Sequence, residues 1–250
     1  MIASLGHPAR EYRIDLSRPL DISIALRGGE KNVNAWYLDA PRIEPHREDG
    51  FVGQVSQGGS TNFNDIWFNP HSHMTHTECL GHITEAFHSI NDRLKKYFFT
   101  AELLSVAPEQ KGEDFVISEK QLARALGEGR SEAVVIRTLP NGEEKRHSSH
   151  SHTNPPYLLE EAAHFLRKRG VEHLLVDLPS VDRERDGGAL LAHRAFWDLA
   201  GTPRTGATIT ELIYVPDRVL DGSYILELQV APMENDASPS RPILYEPLKP

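Results

Sequence analysis

Between residues 69 and 82 the chain reads Asn-Pro-His-Ser-His-Met-Thr-His-Thr-Glu-Cys-Leu-Gly-His, with His71, His73, His76, His82 and Glu78 crowded together. Imidazole and carboxylate in combination suit zinc, manganese or iron. If residues 74–78 run as a strand, alternation puts Met74, His76 and Glu78 on one face, with His76 and Glu78 about 7 Å apart along the chain. His71 and His82 then close in from the flanking turns. No lysine or arginine interrupts the run, which follows the apolar Ile66-Trp67-Phe68 and reaches Gly81 just before His82. These features point the polar groups into a pocket. The plain alternative is a solvated loop, since 13 histidines in 250 residues will cluster somewhere.

A chain of this length with 39% hydrophobic residues buries a real core as one domain, here taken as residues 1–250. Its 36 acidic against 27 basic residues give a net charge of −9 and no basic cluster, which argues against a nucleic-acid surface. Cys79 is the only cysteine, so no disulfide forms within the chain. On the strand reading Cys79 faces away from His76 and Glu78 and is a small buried residue. Residues 1–13 lack an apolar core and no apolar run is long enough to span a bilayer, so cytoplasmic residence without a membrane partner is expected.

The remaining pattern predicts a mixed α/β chain. Ala133–Ile136 and Leu174–Val176 are short apolar runs of the buried-strand type, and Tyr224–Val230 alternates as a half-buried strand. Ser118 caps a helix, with Gln121 completing a capping box and Leu122, Ala125 and Leu126 as the buried stripe. A second helix runs from Tyr157 to Arg169, with Leu158, Ala162, Phe165 and Leu166 inward and Gly170 ending it. His164 on that helix is a surface or packing residue. A shorter helix from Leu190 to Leu199 carries His193. Pro140–Pro156 is polar without periodicity and reads as a mobile loop. The proline-rich tail from about residue 235 to 250 reads as an extended arm.

Thr75-His76-Thr77-Glu78 followed by His82 resembles the signature of the metal-dependent cyclase and kynurenine formamidase family, whose usual form is H-x-G-T-H-x-D-x-P-x-H. Here Glu78 stands for the aspartate, Met74 for the glycine and Leu80 for the proline, and the first histidine's usual position is Ser72. His71 is preferred as that first ligand, because a turn after Asn69-Pro70 can absorb one extra residue; His73 remains the alternative. Tyr12–Leu20, Asn154–Leu158 and Leu175–Asp182 also resemble segments of the family. Ala192-His193-Arg194 and Ile209-Thr210-Glu211-Leu212 match its two distal ligands in the right order.

The resemblance implies a swivelling β/β/α domain with a mixed sheet, associating as a homodimer or homotetramer. It implies a first metal on His71, His76 and Glu78, with Glu78 able to bridge to a second on His193 and Glu211, so that one or two zinc or manganese ions per chain are expected. Because a glutamate reaches about 1.5 Å further than an aspartate, one metal instead of two is also consistent. His82 corresponds to the family's acid/base histidine; a metal ligand, or a partner orienting one, is its other reading. Trp36 falls where the family has an aromatic residue lining the substrate pocket, and an aromatic core residue is equally compatible.

The expected activity is metal-dependent hydrolysis of a carbon–nitrogen bond in a formamide or cyclic amide, on a small-molecule substrate. Lactone hydrolysis or cyclisation is the alternative within the family; binding of metal and a small ligand without turnover is the alternative outside it. His147, His150 and His152 either lid the site or are solvated. Asp177, Ser180 and Asp182 form a structural turn, and without a Gly-x-Ser-x-Gly elbow they do not indicate a serine hydrolase.

Overall fold

The computed structural model describes residues 1–7 and 10–248. The apolar run beginning at Ala133 lies in a strand, Ala133–Thr138, that is buried at every position. Alternation sends Val134 and Ile136 to one face, among Leu122, Leu166 and Phe196, and sends Ala133 and Val135 to the other, among Ile22, Ile90 and Leu226. A strand covered on both faces has no polar side, which is why its sequence is continuously apolar.

This strand is central in a nine-stranded sheet. In chain order the strands are β1 (Leu20–Asp21), β2 (His76–Glu78), β3 (Phe98–Val106), β4 (Ala133–Thr138), β5 (His173–Val176), β6 (Thr208–Glu211), β7 (Gly222–Glu227), β8 (Ala237–Pro239) and β9 (Ile243–Tyr245). Across the sheet they lie in the order β8-β2-β6-β5-β4-β3-β7-β9-β1. The four strands β3, β4, β5 and β6 run parallel, and the flanking pairs are antiparallel. The α/β class with a mixed sheet is therefore as expected.

Among the described residues five α-helices accompany the sheet: α1 (Pro70–His73), α2 (Ile90–Arg93), α3 (Glu119–Leu126), α4 (Glu160–Lys168) and α5 (Leu191–Trp197). Helices α3, α4 and α5 bury Leu122, Leu166 and Phe196 against Val134, Ile136 and Leu174 on one sheet face. The capping box at Ser118 and Gln121 is present. Helix α4 starts later than the pattern suggests. Pro155 and Pro156 hold the chain extended, and Tyr157–Leu158 pairs in parallel with Val116–Ile117 instead. Gly170, at φ +82, ends the helix in the conformation glycine favours.

Two expectations are corrected. The segment from residue 235 is extended but is not a free arm: β8 pairs with β2, β9 pairs with β7, and Ala237 and Leu244 are fully buried. Its last two residues lie outside the described residues. Proline suits this segment because β8 is the sheet edge, where no ladder donor is missed. Nor does the polar stretch after Pro140 lack anchors. Lys145 Nζ reaches the buried Asp177 at 2.8 Å, Ser148 and His150 exchange backbone bonds with Asn34, and Ser151 Oγ accepts from Tyr37 N. Among the described residues no helix is long and apolar enough to cross a membrane.

Candidate metal centre

Strand β2 carries the centre's base. All three of its residues are buried, and alternation sets His76 and Glu78 on one side while Thr77 pairs with Thr210 across the sheet at 2.8 Å. Just before it, Thr75 Oγ1 accepts from Ile24 N at 2.7 Å and donates to the Leu212 carbonyl, which fixes where β2 begins.

His71 is brought to the cluster by a turn of helix, not by a bulge. Asn69 caps α1 by accepting from His71 N at 2.9 Å, with Pro70 at the first helical position. The helical turn sends His71 to the centre. His73 points elsewhere: its Nδ1 accepts from Asn69 N at 2.9 Å, and it joins none of the ligand groups.

Around Glu78 the side chains close in. His71 Nδ1 and His82 Nε2 lie 3.2 and 3.8 Å from Glu78 Oε2, and His193 Nε2 lies 3.0 Å from Glu78 Oε1. Glu211, on β6 opposite His76, places Oε2 3.4 Å from His76 Nε2 and Oε1 3.7 Å from His193 Nε2. Among the described residues three overlapping triads result, His71–His76–Glu78, Glu78–His82–His193 and His71–His82–Asp236, each with its ligand atoms within 4.8 Å of one another. All five expected ligands and His82 are thus brought together.

Outer partners aim these rings. His76 Nδ1 faces the Met74 carbonyl at 3.1 Å and His193 Nδ1 faces Asp182 Oδ2 at 2.6 Å, so in each ring Nε2 is the nitrogen that points inward. Asp182 also accepts from the main-chain N–H groups of Ala192 and His193, which caps α5. Glu211 Oε1 accepts from Val181 N at 3.0 Å. The turn containing Asp182 is structural as expected, and in addition it holds a site histidine.

The electrostatics are those of a crowded donor set. Burial pushes the His193 imidazole down, but Asp182 and Glu78 outweigh it and raise its pKa to about 10. His71, likewise opposed by burial, is raised to about 10 by Asp236 and Glu78. Burial by itself raises the Glu78 carboxyl; the charge of His82 and the hydrogen bond from His193 hold it well below the ordinary range. Two atoms at the middle, His76 Nε2 and Glu78 Oε2, are buried and accept no hydrogen bond. A buried acceptor without a donor costs free energy unless something else occupies its lone pair. A divalent cation satisfies both, and the imidazole and carboxylate donors suit it.

A cavity of about 380 Å³ opens onto this cluster, lined by His71, His82, His193, Glu211, Ser180 and Trp36. Trp36 Nε1 donates to the His71 carbonyl at 3.2 Å, and both Trp36 and Tyr37 sit at φ 60, a conformation that non-glycine residues hold only when their surroundings impose it. Tyr37 N donates to Ser151 Oγ at 2.9 Å, and Asn34, two residues before Trp36, exchanges main-chain bonds with Ser148 and His150. Of the three loop histidines, His150 lines a recess beside Trp36, while His147 turns to Arg27 and His152 to Tyr37 and Arg185. Cys79 is buried on the far side, its thiol pushed up to about 11 chiefly by burial. Asp236 was not among the sequence candidates, yet its Oδ2 lies 2.9 Å from His71 Nε2 and 3.2 Å from His82 Nδ1.

The family model described as "Putative cyclase" matches residues 14–183. The chain belongs to this cyclase family. A kynurenine formamidase of Bacillus cytotoxicus is 30% identical over 243 residues, covering 92% of this chain and 96% of that protein. The cyclase fold is matched by a predicted metal-dependent hydrolase from Bacillus stearothermophilus, with TM-score 0.64, 16% identity and coverage of 91% and 98% of the two chains. It is also matched by an isatin hydrolase bound to the product analogue thioisatinate, with TM-score 0.64, 18% identity and 92% of each chain covered.

Proposed function

We propose that this cyclase-family chain is a metal-dependent hydrolase that cleaves the carbon–nitrogen bond of a formamide or cyclic amide. The observation that carries this reading is the pair of buried atoms His76 Nε2 and Glu78 Oε2, which accept no hydrogen bond and are set among further imidazoles and carboxylates at the floor of a ligand-sized cavity. The named activities of the similar proteins, a formamidase and an isatin hydrolase, support the bond type.

His71, His76 and Glu78 would hold the first metal, and His193 and Glu211 with Glu78 a second. When bound, zinc or manganese supplies a Lewis acid for the substrate carbonyl and lowers the pKa of a water molecule towards about 7. The chain's own part is proton transfer and orientation. His82 stands at the cavity wall, half-exposed, with Nε2 directed inward. It takes a proton from the attacking water as the oxygen adds to the carbonyl carbon. It returns that proton to the nitrogen as the C–N bond breaks, releasing amine and carboxylate. Trp36 offers a flat apolar wall for the substrate.

A homo-oligomer is part of the same reading. Ile43, Phe51, Phe63, Ile66 and Trp67 are exposed on the hairpin segments between residues 42 and 67, as an interface surface would be. Light scattering that returns a monomer mass removes this element.

The test is elemental analysis of untagged protein beside His76→Ala and Glu78→Ala, followed by turnover of N-formyl aryl amines, cyclic amides and lactones. About one or two zinc or manganese ions per chain, lost in both variants, with amide turnover lost in His82→Ala, is the expected result. Metal binding without turnover on any of these substrates returns the chain to a binding role, and lactone turnover alone moves it to the ester branch.

A further inference from the structure

Asp236 lies one residue before β8, and its position is set by main chain. Its carbonyl accepts from Cys79 N at 3.0 Å, and in the β8–β2 register the next residue, Ala237, is opposite Glu78. The carboxylate is thereby delivered behind the histidines, on the side away from Glu78. A single oxygen, Oδ2, serves both rings: 2.9 Å to His71 Nε2 and 3.2 Å to His82 Nδ1. The rings stack with centroids 4.3 Å apart and planes at 29°.

Each ring uses opposite nitrogens for the two carboxylates. Facing Asp236 are His71 Nε2 and His82 Nδ1; facing Glu78 Oε2 are His71 Nδ1 at 3.2 Å and His82 Nε2 at 3.8 Å. A neutral imidazole has one N–H and one lone pair. If the N–H is given to Asp236, the lone pair is left pointing at the centre in both rings.

We infer that Asp236 is a positioning residue that fixes the orientation and tautomer of His71 and His82 together, making one a metal ligand and the other a proton acceptor. The same logic, a carboxylate behind the base, orients histidines in unrelated hydrolases and at metal sites. Here one carboxylate oxygen serves both purposes, so ligand and base move together. The assignment of roles rests on the proposed hydrolase reading, whereas the geometric part does not.

The experiment compares wild-type protein with Asp236→Asn, which keeps the shape but presents an amide nitrogen, and with Glu234→Gln, which removes a nearby exposed charge as a control. Three readouts are taken. Chelator competition with zinc gives the metal Kd, expected to rise about 10- to 100-fold in Asp236→Asn and to stay unchanged in Glu234→Gln. At saturating zinc, kcat is expected to fall by about tenfold or more with KM within about threefold. In metal-free protein, carbethoxylation of His71 and His82 by diethyl pyrocarbonate, mapped by mass spectrometry, should accelerate severalfold.

Should Asp236→Asn not fold, Asp236→Ser retains a hydroxyl acceptor and takes its place. An unchanged metal Kd together with unchanged carbethoxylation in a folded variant overturns the inference. Wild-type protein that binds zinc but cleaves no amide instead overturns the hydrolase reading, and the metal and carbethoxylation measurements then decide on Asp236.

Discussion

His193 Nδ1 lies 2.6 Å from Asp182 Oδ2, and the same carboxylate accepts the main-chain N–H of His193 at 3.1 Å. The side chain that would bind metal and the helix that carries it are therefore fixed by one group. Asp182→Asn should lower metal affinity about 10- to 100-fold while α5 stays capped, because an amide oxygen still accepts from the main chain. Isothermal titration of metal-free protein measures the first effect and circular dichroism the second. An unaltered affinity would mean that His193 is outside the metal's reach.

Glu78→Asp restores the residue usual in the family, yet it should damage this chain. The shorter side chain withdraws the carboxylate by about 1.5 Å. Its oxygens now lie 3.0 Å from His193 and 3.2 Å from His71, with the cluster packed to that reach. Metal content and kcat should both fall severalfold, and elemental analysis beside steady-state kinetics tests it. A fully loaded, fully active variant would show that the cluster tightens around either acid.

Lys145 and Asp177 form a buried ion pair at 2.8 Å, and Asp177 also accepts from Thr138 N and Oγ1 at 2.9 Å each. Removing one partner strands the other. Lys145→Met should cost about 3–5 kcal/mol in urea unfolding. It should also expose the segment around residues 141–152 to proteases, since that ion pair is one of its anchors. Resistance to cleavage equal to wild type would assign the anchoring to the contacts with Asn34 and Tyr37.

His173 is buried against Phe99, ring centroids 3.9 Å apart, with Nδ1 2.9 Å from Thr208 Oγ1. Burial lowers its pKa from 6.5 to about 4. The folded state thus holds it neutral, so its contribution is present above pH 6.5 and is lost as pH falls towards 4. The loss amounts to about 3 kcal/mol. His173→Gln should be less stable than wild type at pH 7 but show a shallower decline down to pH 4. Parallel denaturant curves at the two pH values decide this, and equal slopes would refute it.

His76 and Glu78 were legible because a period of two is visible in three residues, and β4 was legible because burial on both faces leaves an unbroken apolar run. His71 reaches the cluster through a capped helical turn at Asn69-Pro70 where the spacing suggests a bulge. Asp236 was not legible. Glu234-Asn235-Asp236 reads as an ordinary polar loop, and it enters the site only because β8 pairs with β2 from far along the chain. The stretch after Pro140 failed for a similar reason, since Asp177 and Asn34 hold it and neither leaves a periodic trace within it.

The pairing of β8 with β2 has a consequence for the order of events in the cell. Synthesis delivers His71, His76, Glu78 and His82 early, but the strand that covers them and the carboxylate behind two of them emerge only with residues 236–239. Contacts so distant in sequence form late, after the ends of a long loop have met. Until residues 236–239 have joined β2, the histidines form an open, unfinished set without the carboxylate behind two of them.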